Sequence, residues 1–419
     1  MGTYLSRPST DKETESGSAP THKWGSSSMQ GWRTGMEDAH ITISSLGGTL
    51  ERWSLFGVFD GHGGREVAAF CKIHMPDLVR RRLEEQLNSK KASCGQALID
   101  SFHAIDDMLR KQEYRQEILS LKPQKEAPKE DVIQDSPREL QSVQDVERSS
   151  KKPEVVALLQ ETIRGDLAKA REKGSLSRQE AHQVMMKMAL LKRLEGQQTA
   201  GEASADTEVA KNVGCTAICV LLNDDEVICG NAGDSRAVLC RKGKAVELSH
   251  DHKPNSDVER QRIEAAGGHV EESAVGQRVH YRVMGNLNLS RSIGDLEYKQ
   301  SPELGPERQM ICATPDIIRI PLHEDDEFIV LACDGIWDVK TNQEVCDFVR
   351  ERLAGGESLP SIVEALLDDC IAVDPKETGG LGGDNMTCII VQLVPEASEE
   401  AHQPPPSTIH GSFLTRTGL

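Results

Sequence analysis

The chain has 419 residues, 37% of them hydrophobic, so it is long enough to bury a substantial core. Lys and Arg number 49 against 67 Asp and Glu, and the net charge of −18 argues against nucleic acid or an anionic membrane as a general partner. No apolar run approaches the length of a membrane span, about 18 residues, and the 11 scattered cysteines suggest reduced thiols in the cytosol or nucleus.

The N-terminus fits a lipidation pattern. Met1 is followed by Gly2, with Ser6 in the position that N-myristoylation of Gly2 requires. One such chain would give only weak, reversible membrane contact. Residues 7–23 are rich in Ser, Thr, Pro and charge, so we predict a flexible tail over 1–23. The expected location is cytoplasmic, with membrane association if Gly2 is acylated and the nucleus as the alternative.

A folded domain is predicted over residues 24–395. It begins with a strand at about 53–59 and helices at about 65–87 and 94–114, where apolar residues recur with helical spacing. At about 115–210 the composition shifts to Lys, Glu, Gln and Ser, which indicates an insertion. Within the insertion we predict a linker at 121–153, followed by two helices at 154–173 and 179–194.

Strand-like runs return after residue 213 and alternate with amphipathic helices. The predicted strands cover 216–222, 226–229, 236–240, 327–333 and 387–394, and the helices cover 256–266, 342–353 and 359–371. Short connections between successive strands favour antiparallel sheets, and the separate helices favour a layered α/β arrangement. Residues 396–419, which include three consecutive prolines, are predicted to be a flexible tail.

Four aspartates stand where an apolar run meets a glycine cluster: Asp60, Asp234, Asp334 and Asp384. Each is therefore expected at a strand end or in the adjoining turn. Carboxylates seldom gather there unless a positive charge offsets their repulsion. Hard divalent cations such as Mg²⁺ or Mn²⁺, which prefer oxygen ligands, are the simplest such charge.

The neighbours of these aspartates add to the predicted metal site. The glycine after Asp60 lets backbone approach a metal, so the carbonyl of Gly61 is a candidate ligand. Glu37 and Asp38 follow a Gly-Trp-Arg-Thr-Gly turn and supply two more carboxylates. Two metals about 3.5–4 Å apart can deprotonate a water and neutralise a phosphoryl group, which makes phosphoester hydrolysis the leading chemistry.

Such hydrolysis also needs a group that orients phosphate and an acid for the leaving oxygen. Arg33, four residues before Glu37, can bind phosphate oxygens as a bidentate fork. His62, two residues after Asp60, can be the acid. A lone Arg or His would more often be structural, but both lie inside the acidic segments.

The order of these motifs resembles that of a known family. The segments GWRTGMEDAH (31–40), FGVFDGHGG (56–64), GCTAICVLL (214–222), NAGDSRAVL (231–239), LSHDHKP (248–254), GNLNLSRSIGD (285–295), ACDGIWDV (332–339) and GGDNMTCIIV (382–391) resemble, in order, the motifs of the type 2C metal-dependent Ser/Thr protein phosphatases. The resemblance covers roughly 24–114 and 211–395.

The resemblance implies a four-layer α-β-β-α sandwich, with two antiparallel sheets flanked by helices and a dinuclear Mg²⁺ or Mn²⁺ site at one edge. It implies hydrolysis of phosphoserine and phosphothreonine in proteins by a metal-activated water, without a covalent phospho-enzyme. The expected partners are phosphoprotein substrates and no nucleic acid, and we expect a monomer.

The resemblance also implies which residues hold metal. Asp60 would bridge two metals, Gly61 would contribute its carbonyl, and Asp334 and Asp384 would hold one of the metals. A weaker third metal site would share Asp334 with two further acids, Asp234 and Asp338.

Further roles follow from the same matches. Glu37 would act on the other metal directly or through water, with Asp38 beside it. Arg33 would bind the substrate phosphate, and His62 would protonate the leaving oxygen. Thr216 matches a threonine near the metal-bound water.

Departures from the family pattern are mild apart from the insertion. Cys215 stands where a serine is usual, and Asn288 and Ser292 replace smaller residues. None of these removes a ligand. The segment at 254–285 corresponds to a flap beside the active site, where substrate choice is expected to reside.

Other types of site fit less well. Cys346 and Arg352 have the spacing of a cysteine phosphatase loop, but the segment is helical and lacks the necessary glycines. A zinc site at His250, Asp251 and His252 has no evident further ligand. The alternative from another class is an inactive, phosphopeptide-binding scaffold. It would be expected if a metal-site aspartate were missing, and all are retained.

Overall fold

The computed structural model describes residues 4–89, 93–122, 210–275 and 278–394. Gly2, the predicted helices of the insertion and the C-terminal tail lie outside these ranges, as does nearly all of the linker at 121–153. Elements are numbered in chain order within the described residues.

The first sheet has six antiparallel strands in the order β1-β2-β16-β15-β9-β10. Their bounds are Ser9–Ala19 (β1), His22–Gly31 (β2), Arg236–Arg241 (β9), Lys244–Glu247 (β10), Asp326–Ala332 (β15) and Met386–Leu393 (β16).

The second sheet has five antiparallel strands in the order β14-β8-β7-β4-β3. They span Ala39–Ile43 (β3), Ser54–Phe59 (β4), Ala217–Leu222 (β7), Glu226–Ala232 (β8) and Asp316–Pro321 (β14). Two small ribbons accompany the sheets. One joins β13, β6 and β5, which are Ile293–Gly294, Gly214–Cys215 and Gly61–His62. The other is a hairpin of β11 and β12, Val270–Val275 and Arg278–Val283.

Helices cover the outer face of each sheet. Their bounds are Glu66–Leu87 (α1), Cys94–Leu109 (α2), Arg115–Ser120 (α3), Asp257–Ala265 (α4), Asp334–Trp337 (α5), Asn342–Ala354 (α6) and Leu359–Cys370 (α7). Helices α6 and α7 bury apolar residues such as Val345 and Ile362 against the first sheet. Helices α1 and α2 pack on the second sheet. Between the sheets lies a core that includes Phe56, Val220 and Ile389. The predicted four-layer sandwich is therefore confirmed.

The prediction of a flexible tail over residues 1–23 is wrong for residues 9–23, which belong to the first sheet. Residues 9–19 form β1, an edge strand paired with β2, and their side chains alternate between exposed and half-buried. This strand is polar because an edge strand at the surface needs no apolar face, so it carries no hydrophobic period. Its Thr14 hydroxyl donates to Glu364 of α7, and Trp24 packs over Gly17.

The segment predicted to be a flap consists of α4 and the β11–β12 hairpin. All 11 cysteines are buried and free of disulfide bonds. In the part of the chain that the structure describes, no helix is both long and apolar enough to cross a membrane.

Candidate active site

The predicted aspartates meet at one edge of the sandwich because of strand polarity. Strands β4 and β8 are both antiparallel to β7 and therefore run in the same direction. Asp60 and Asp234 follow these two strands, so they lie at the same edge of the sheet. Strands β15 and β16 are antiparallel, which brings Asp334, after β15, next to Asp384, before β16. The sequence prediction that each acid lies at a strand end is confirmed.

These strand ends surround a cavity of about 170 Å³. Nine of the predicted site residues line it: Arg33, Glu37, Asp60, Gly61, His62, Thr216, Asp234, Asp334 and Asp384. Two do not. Asp38 is set behind the lining, and Asp338 is exposed in a neighbouring groove beside Trp337.

A glycine is required at position 61. A Cβ atom there would lie 2.2 Å from the carbonyl oxygen of Glu37, much closer than any side chain tolerates. The strand β5 therefore approaches the Glu37 segment more closely than another residue would allow. This contact brings the Gly61 backbone and the Glu37 carboxylate to the same wall of the cavity.

The carboxylates of the cavity repel one another strongly. Burial raises the pKa of Asp60 well above its usual value, and the neighbouring charges of Asp38, Asp334 and Asp384 raise it further. Burial likewise raises the pKa of Asp334 well above its usual value, with Asp234 the largest charge contribution. A cation placed among these groups would relieve the repulsion.

Asp38 accepts a hydrogen bond from β16. The Thr387 hydroxyl of β16 donates to Oδ2 of Asp38 over 2.7 Å. The other oxygen, Oδ1, is buried and has no hydrogen-bond partner among the described residues. Burial raises the pKa of Asp38, the Thr387 bond opposes that rise, and the charge of Asp384 adds to it.

Two basic side chains partly offset the negative charge. Arg33 donates to Oδ2 of Asp384, and Lys253 contacts Oδ2 of Asp234 at 2.5 Å. Burial opposes the charge on Arg33, but Asp384 outweighs it and raises the pKa of the guanidinium. The same balance, with Asp234 as the partner, raises the pKa of Lys253.

The donor types at the cavity suit hard divalent cations, since they are carboxylates and a backbone carbonyl. The raised pKa values and the orphaned Asp38 oxygen also fit a site built for positive charge. As the side chains stand, however, no three His, Cys, Asp or Glu groups within the described ranges are arranged to hold a metal ion. The pairs Arg33–Asp384 and Lys253–Asp234 occupy part of the donor set instead.

Asn385 is a structural residue of the site that the sequence reasoning missed. Its side-chain amide donates to the carbonyl oxygens of Gln30 and Gly35, at 2.7 and 3.0 Å. Its side-chain oxygen accepts from the backbone N–H of Glu37 at 3.0 Å. Asn385 thus ties the segment that carries Glu37 to the segment that carries Asp384. It follows Asp384 directly in the GGDNMTCIIV motif, which was the only available signal.

Asp295 is the second residue that the sequence reasoning missed. It is fully buried, and its Oδ2 atom lies 2.7 Å from Nε2 of His62 and 2.5 Å from the Ser292 hydroxyl. Burial disfavours charge on both groups, but their attraction outweighs it, so the pKa of His62 is raised and that of Asp295 is lowered. Asp295 ends the GNLNLSRSIGD segment, but its partner could not be read from the sequence.

A buried ion pair supports the loop that carries Asp295. Lys299 contacts Asp106 of α2 at 2.5 Å and donates to the Ser292 carbonyl at 2.7 Å. The other oxygen of Asp106 accepts from the N–H of Gly294 at 2.8 Å. These bonds fix the turn in which Asp295 adopts a left-handed conformation, with φ of 49°.

Thr216 lines the cavity through a fixed hydroxyl. Its Oγ1 atom lies 2.7 Å from the Ser235 hydroxyl, and its N–H donates to the Asp60 carbonyl at 2.9 Å. Thr216 therefore connects β7 to the turn that holds Asp60.

The alternative sites do not form. Cys346 lies inside α6 and is buried. The three residues of the considered zinc site each contact a different partner: His250 contacts Glu247, Asp251 contacts Arg236 and His252 contacts Asp316.

Comparison with known proteins shows the family to which the chain belongs. A family model described as Protein phosphatase 2C matches residues 22–127 and 126–379. The chain is 37% identical over 393 residues to Probable protein phosphatase 2C 11 of Oryza sativa subsp. japonica, covering 94% of this chain and 91% of that protein. It is 36% identical over 398 residues to Protein phosphatase 2C homolog 2 of Schizosaccharomyces pombe, covering 94% and 79%.

A solved structure supports the fold. The serine-threonine phosphatase 2C from Toxoplasma gondii superposes with a TM-score of 0.56 at 16% identity, covering 93% of this chain and 98% of that one. The match to the family model over most of the chain and the full-length relatives lead to one conclusion. The chain belongs to the protein phosphatase 2C family and is a metal-dependent protein serine/threonine phosphatase.

Proposed function

We propose that the cavity at the sandwich edge is where this phosphatase hydrolyses phosphoserine and phosphothreonine, with two Mg²⁺ or Mn²⁺ ions bound. The carboxylates of Asp60, Asp334 and Asp384 and the carbonyl of Gly61 would hold the ions, with Asp60 shared between them. Glu37 would act on the second ion directly or through water, with Asp38 beside it. The observation that carries the proposal is the meeting of five carboxylates, Arg33 and His62 around one cavity.

A weaker third ion would lie on the side of Asp234 and Asp338, with Asp334 shared. Two observations support this extension. The charges of Asp234 and Asp338 both raise the pKa of Asp334. Lys253, which pairs with Asp234, partly offsets this negative charge. Thr216, whose hydroxyl is fixed by Ser235, would stand beside the reacting water.

When bound, the ions would activate a water and offset the charge of the phosphoryl group. Arg33 would turn its guanidinium from Asp384 to two phosphate oxygens, for which its planar fork is suited. His62 holds its Nε2–H toward Asp295, so Nδ1 is the atom available to protonate the leaving oxygen. Asp295 favours the charged imidazolium that this role requires.

The direct test is metal-dependent turnover by the purified full-length chain on phosphothreonine, phosphoserine and phosphotyrosine peptides. After chelation we expect no activity, and Mn²⁺ or Mg²⁺ should restore it for the first two peptides only. Asp384→Asn should lower kcat at least about 100-fold, since it removes a ligand. The matched control Asp347→Asn, an exposed acid on α6, should remain active. Activity that persists in chelator, or in Asp384→Asn, would refute the assignment.

We also propose that Gly2 is myristoylated and that the protein is a cytoplasmic monomer with weak membrane contact. The support is the residue pattern at Gly2 and Ser6. Mass spectrometry of the protein from its native cell checks the modification, and an unmodified or acetylated N-terminus would contradict it.

A further inference from the structure

The aromatic ring of Tyr4 lies against the glycine-rich loop that leads into Asp384. A Cβ atom on Gly383 would lie 3.1 Å from Cε1 of Tyr4, and one on Gly380 would lie 3.4 Å from its hydroxyl oxygen. The ring therefore occupies the space that side chains at these two glycines would fill. Gly383 directly precedes Asp384, so this contact is one residue away from a proposed metal ligand.

The same N-terminal segment contacts the other side of the site. The N–H of Leu5 donates to the carbonyl of Trp32 at 2.9 Å. The indole N–H of Trp32 donates in turn to the carbonyl of Ala372, also at 2.9 Å. Arg33 follows Trp32 directly, and its guanidinium pairs with Asp384. Residues 4 and 5 thus touch both of the segments that meet in the Arg33–Asp384 pair.

The loop at 371–384 needs such an external contact. Three of its glycines, at 379, 380 and 382, have φ values of 67°, 100° and 67°, and no side chain of their own anchors them. Glycine has more conformational freedom to lose than any other residue, so a loop of this kind is ordered at a high entropic cost. Backbone hydrogen bonds within it, such as Ala372 N–H to the Gly382 carbonyl and Gly380 N–H to the Pro375 carbonyl, close the loop but do not fix it to the site.

We infer that Tyr4 is a positioning residue of the active site, which holds the loop so that Asp384 and Arg33 face the cavity. The N-terminal segment is then part of the catalytic architecture and not only an extension of the first sheet. This inference rests on the proposed role of Asp384 as a metal ligand.

The test compares Tyr4→Ala with Tyr4→Phe in the full-length chain. The first readout, without metal, is amide hydrogen exchange of peptides from residues 371–384. The second is Mn²⁺ affinity by calorimetry, and the third is kcat and KM on a phosphothreonine peptide. The matched control is Tyr114→Ala, which removes another half-buried ring, one that packs edge-on against Phe70 of α1.

We expect Tyr4→Ala to speed exchange in the loop and to weaken Mn²⁺ binding about tenfold or more, as loss of an outer supporting contact does at metal sites. Tyr4→Phe should restore both, because the ring makes the contact. Tyr114→Ala should lower thermal stability without either change. The inference is overturned if Tyr4→Ala leaves loop exchange and Mn²⁺ affinity at wild-type values, or if Tyr114→Ala alters them equally. If the wild-type chain itself bound no Mn²⁺, the proposed metal site would fail, and loop exchange would still decide the role of Tyr4.

Discussion

The Nε2 atom of His62 lies 2.7 Å from Oδ2 of Asp295, a residue 233 positions further along the chain. This contact engages the Nε2 nitrogen of His62, and in the proposed mechanism Nδ1 is the nitrogen that meets the substrate. It also gives His62 a permanent negative neighbour that favours its protonated form. His62, the proposed acid, is therefore supported by a residue that does not line the cavity.

Asp295→Asn should separate substrates by their leaving groups. The amide keeps the shape of the side chain but removes the charge that favours protonated His62. We expect kcat on a phosphothreonine peptide to fall about 10- to 100-fold, within the range of general acid catalysis. Turnover of p-nitrophenyl phosphate, whose leaving group departs without a proton, should change little. An equal loss on both substrates would show that Asp295 serves only to maintain the fold.

Asp60→Asn should stabilise the metal-free protein while abolishing its response to metal. Asp60 has a raised pKa in the folded state, so its ionised form opposes folding at neutral pH, and removing that charge removes the penalty. We expect a melting temperature about 2–4 °C higher than wild type in chelator. Mn²⁺ should stabilise the wild type but not the variant. Thermal unfolding by fluorescence measures both, and a variant that Mn²⁺ still stabilises would contradict the ligand role.

Asn385→Ala should damage stability and activity together. The change removes three hydrogen bonds and leaves the Glu37 N–H and two carbonyls without this partner. A buried polar group without a hydrogen-bond partner costs about 1–3 kcal/mol, so we expect the free energy of unfolding to fall by about 2–4 kcal/mol. Because Glu37 and Asp384 lose their link, Mn²⁺ affinity should fall as well. Urea unfolding and calorimetry test this, and a stable variant with unchanged affinity would exclude the role.

Glu259→Gln should remove part of the acid sensitivity of the fold. Burial disfavours the charge on Glu259, but Arg291, Arg262 and Ser290 outweigh it and lower its pKa to about 2. A carboxylate with a lowered pKa stabilises the fold above its unfolded pKa, and this stabilisation is lost as the pH falls through the folded pKa. The contribution should therefore be complete above about pH 4.5 and disappear toward pH 2.

At pH 7 the Glu259→Gln variant should be less stable by about 3 kcal/mol, since two arginines lose their buried partner. The difference from wild type should shrink as the pH falls through that window. Denaturant unfolding at several pH values measures it, and Glu324→Gln, an exposed glutamate, is the control. A difference that does not change with pH would contradict the lowered pKa.

Much of the site was predictable because its acids adjoin the ends of buried strands. Apolar runs predicted β4, β8, β15 and β16 to within one to three residues at their ends, and the acids at those ends followed from them. The side chains that position the site were not predictable in this way. Asn385 and Asp295 bond to segments that are distant in sequence, so their partners depend on the packing of both sheets.

The edge strand β1 was missed for a different physical reason. Its side chains face solvent or the polar surface of α7, so residues 9–19 show no alternation of apolar and polar residue types. Hydrophobic periodicity reports burial, and a strand stabilised mainly by backbone pairing has none. The contact of Tyr4 with the 371–384 loop could not be predicted either, because no sequence pattern links a tyrosine to distant glycines.

The pairing of β2 with β16 constrains how the chain acquires its structure. Met29 lies opposite Met386, so β2, the second strand of the first sheet, gains its second neighbour only after residue 386 has been synthesised. Contacts between such distant residues slow folding, because the intervening chain must be ordered first. Until then, the backbone N–H and C=O groups on one edge of β2 have no partner strand. Premature termination shortly before residue 386 would leave that edge exposed, and a truncated product would be prone to aggregate and not merely inactive.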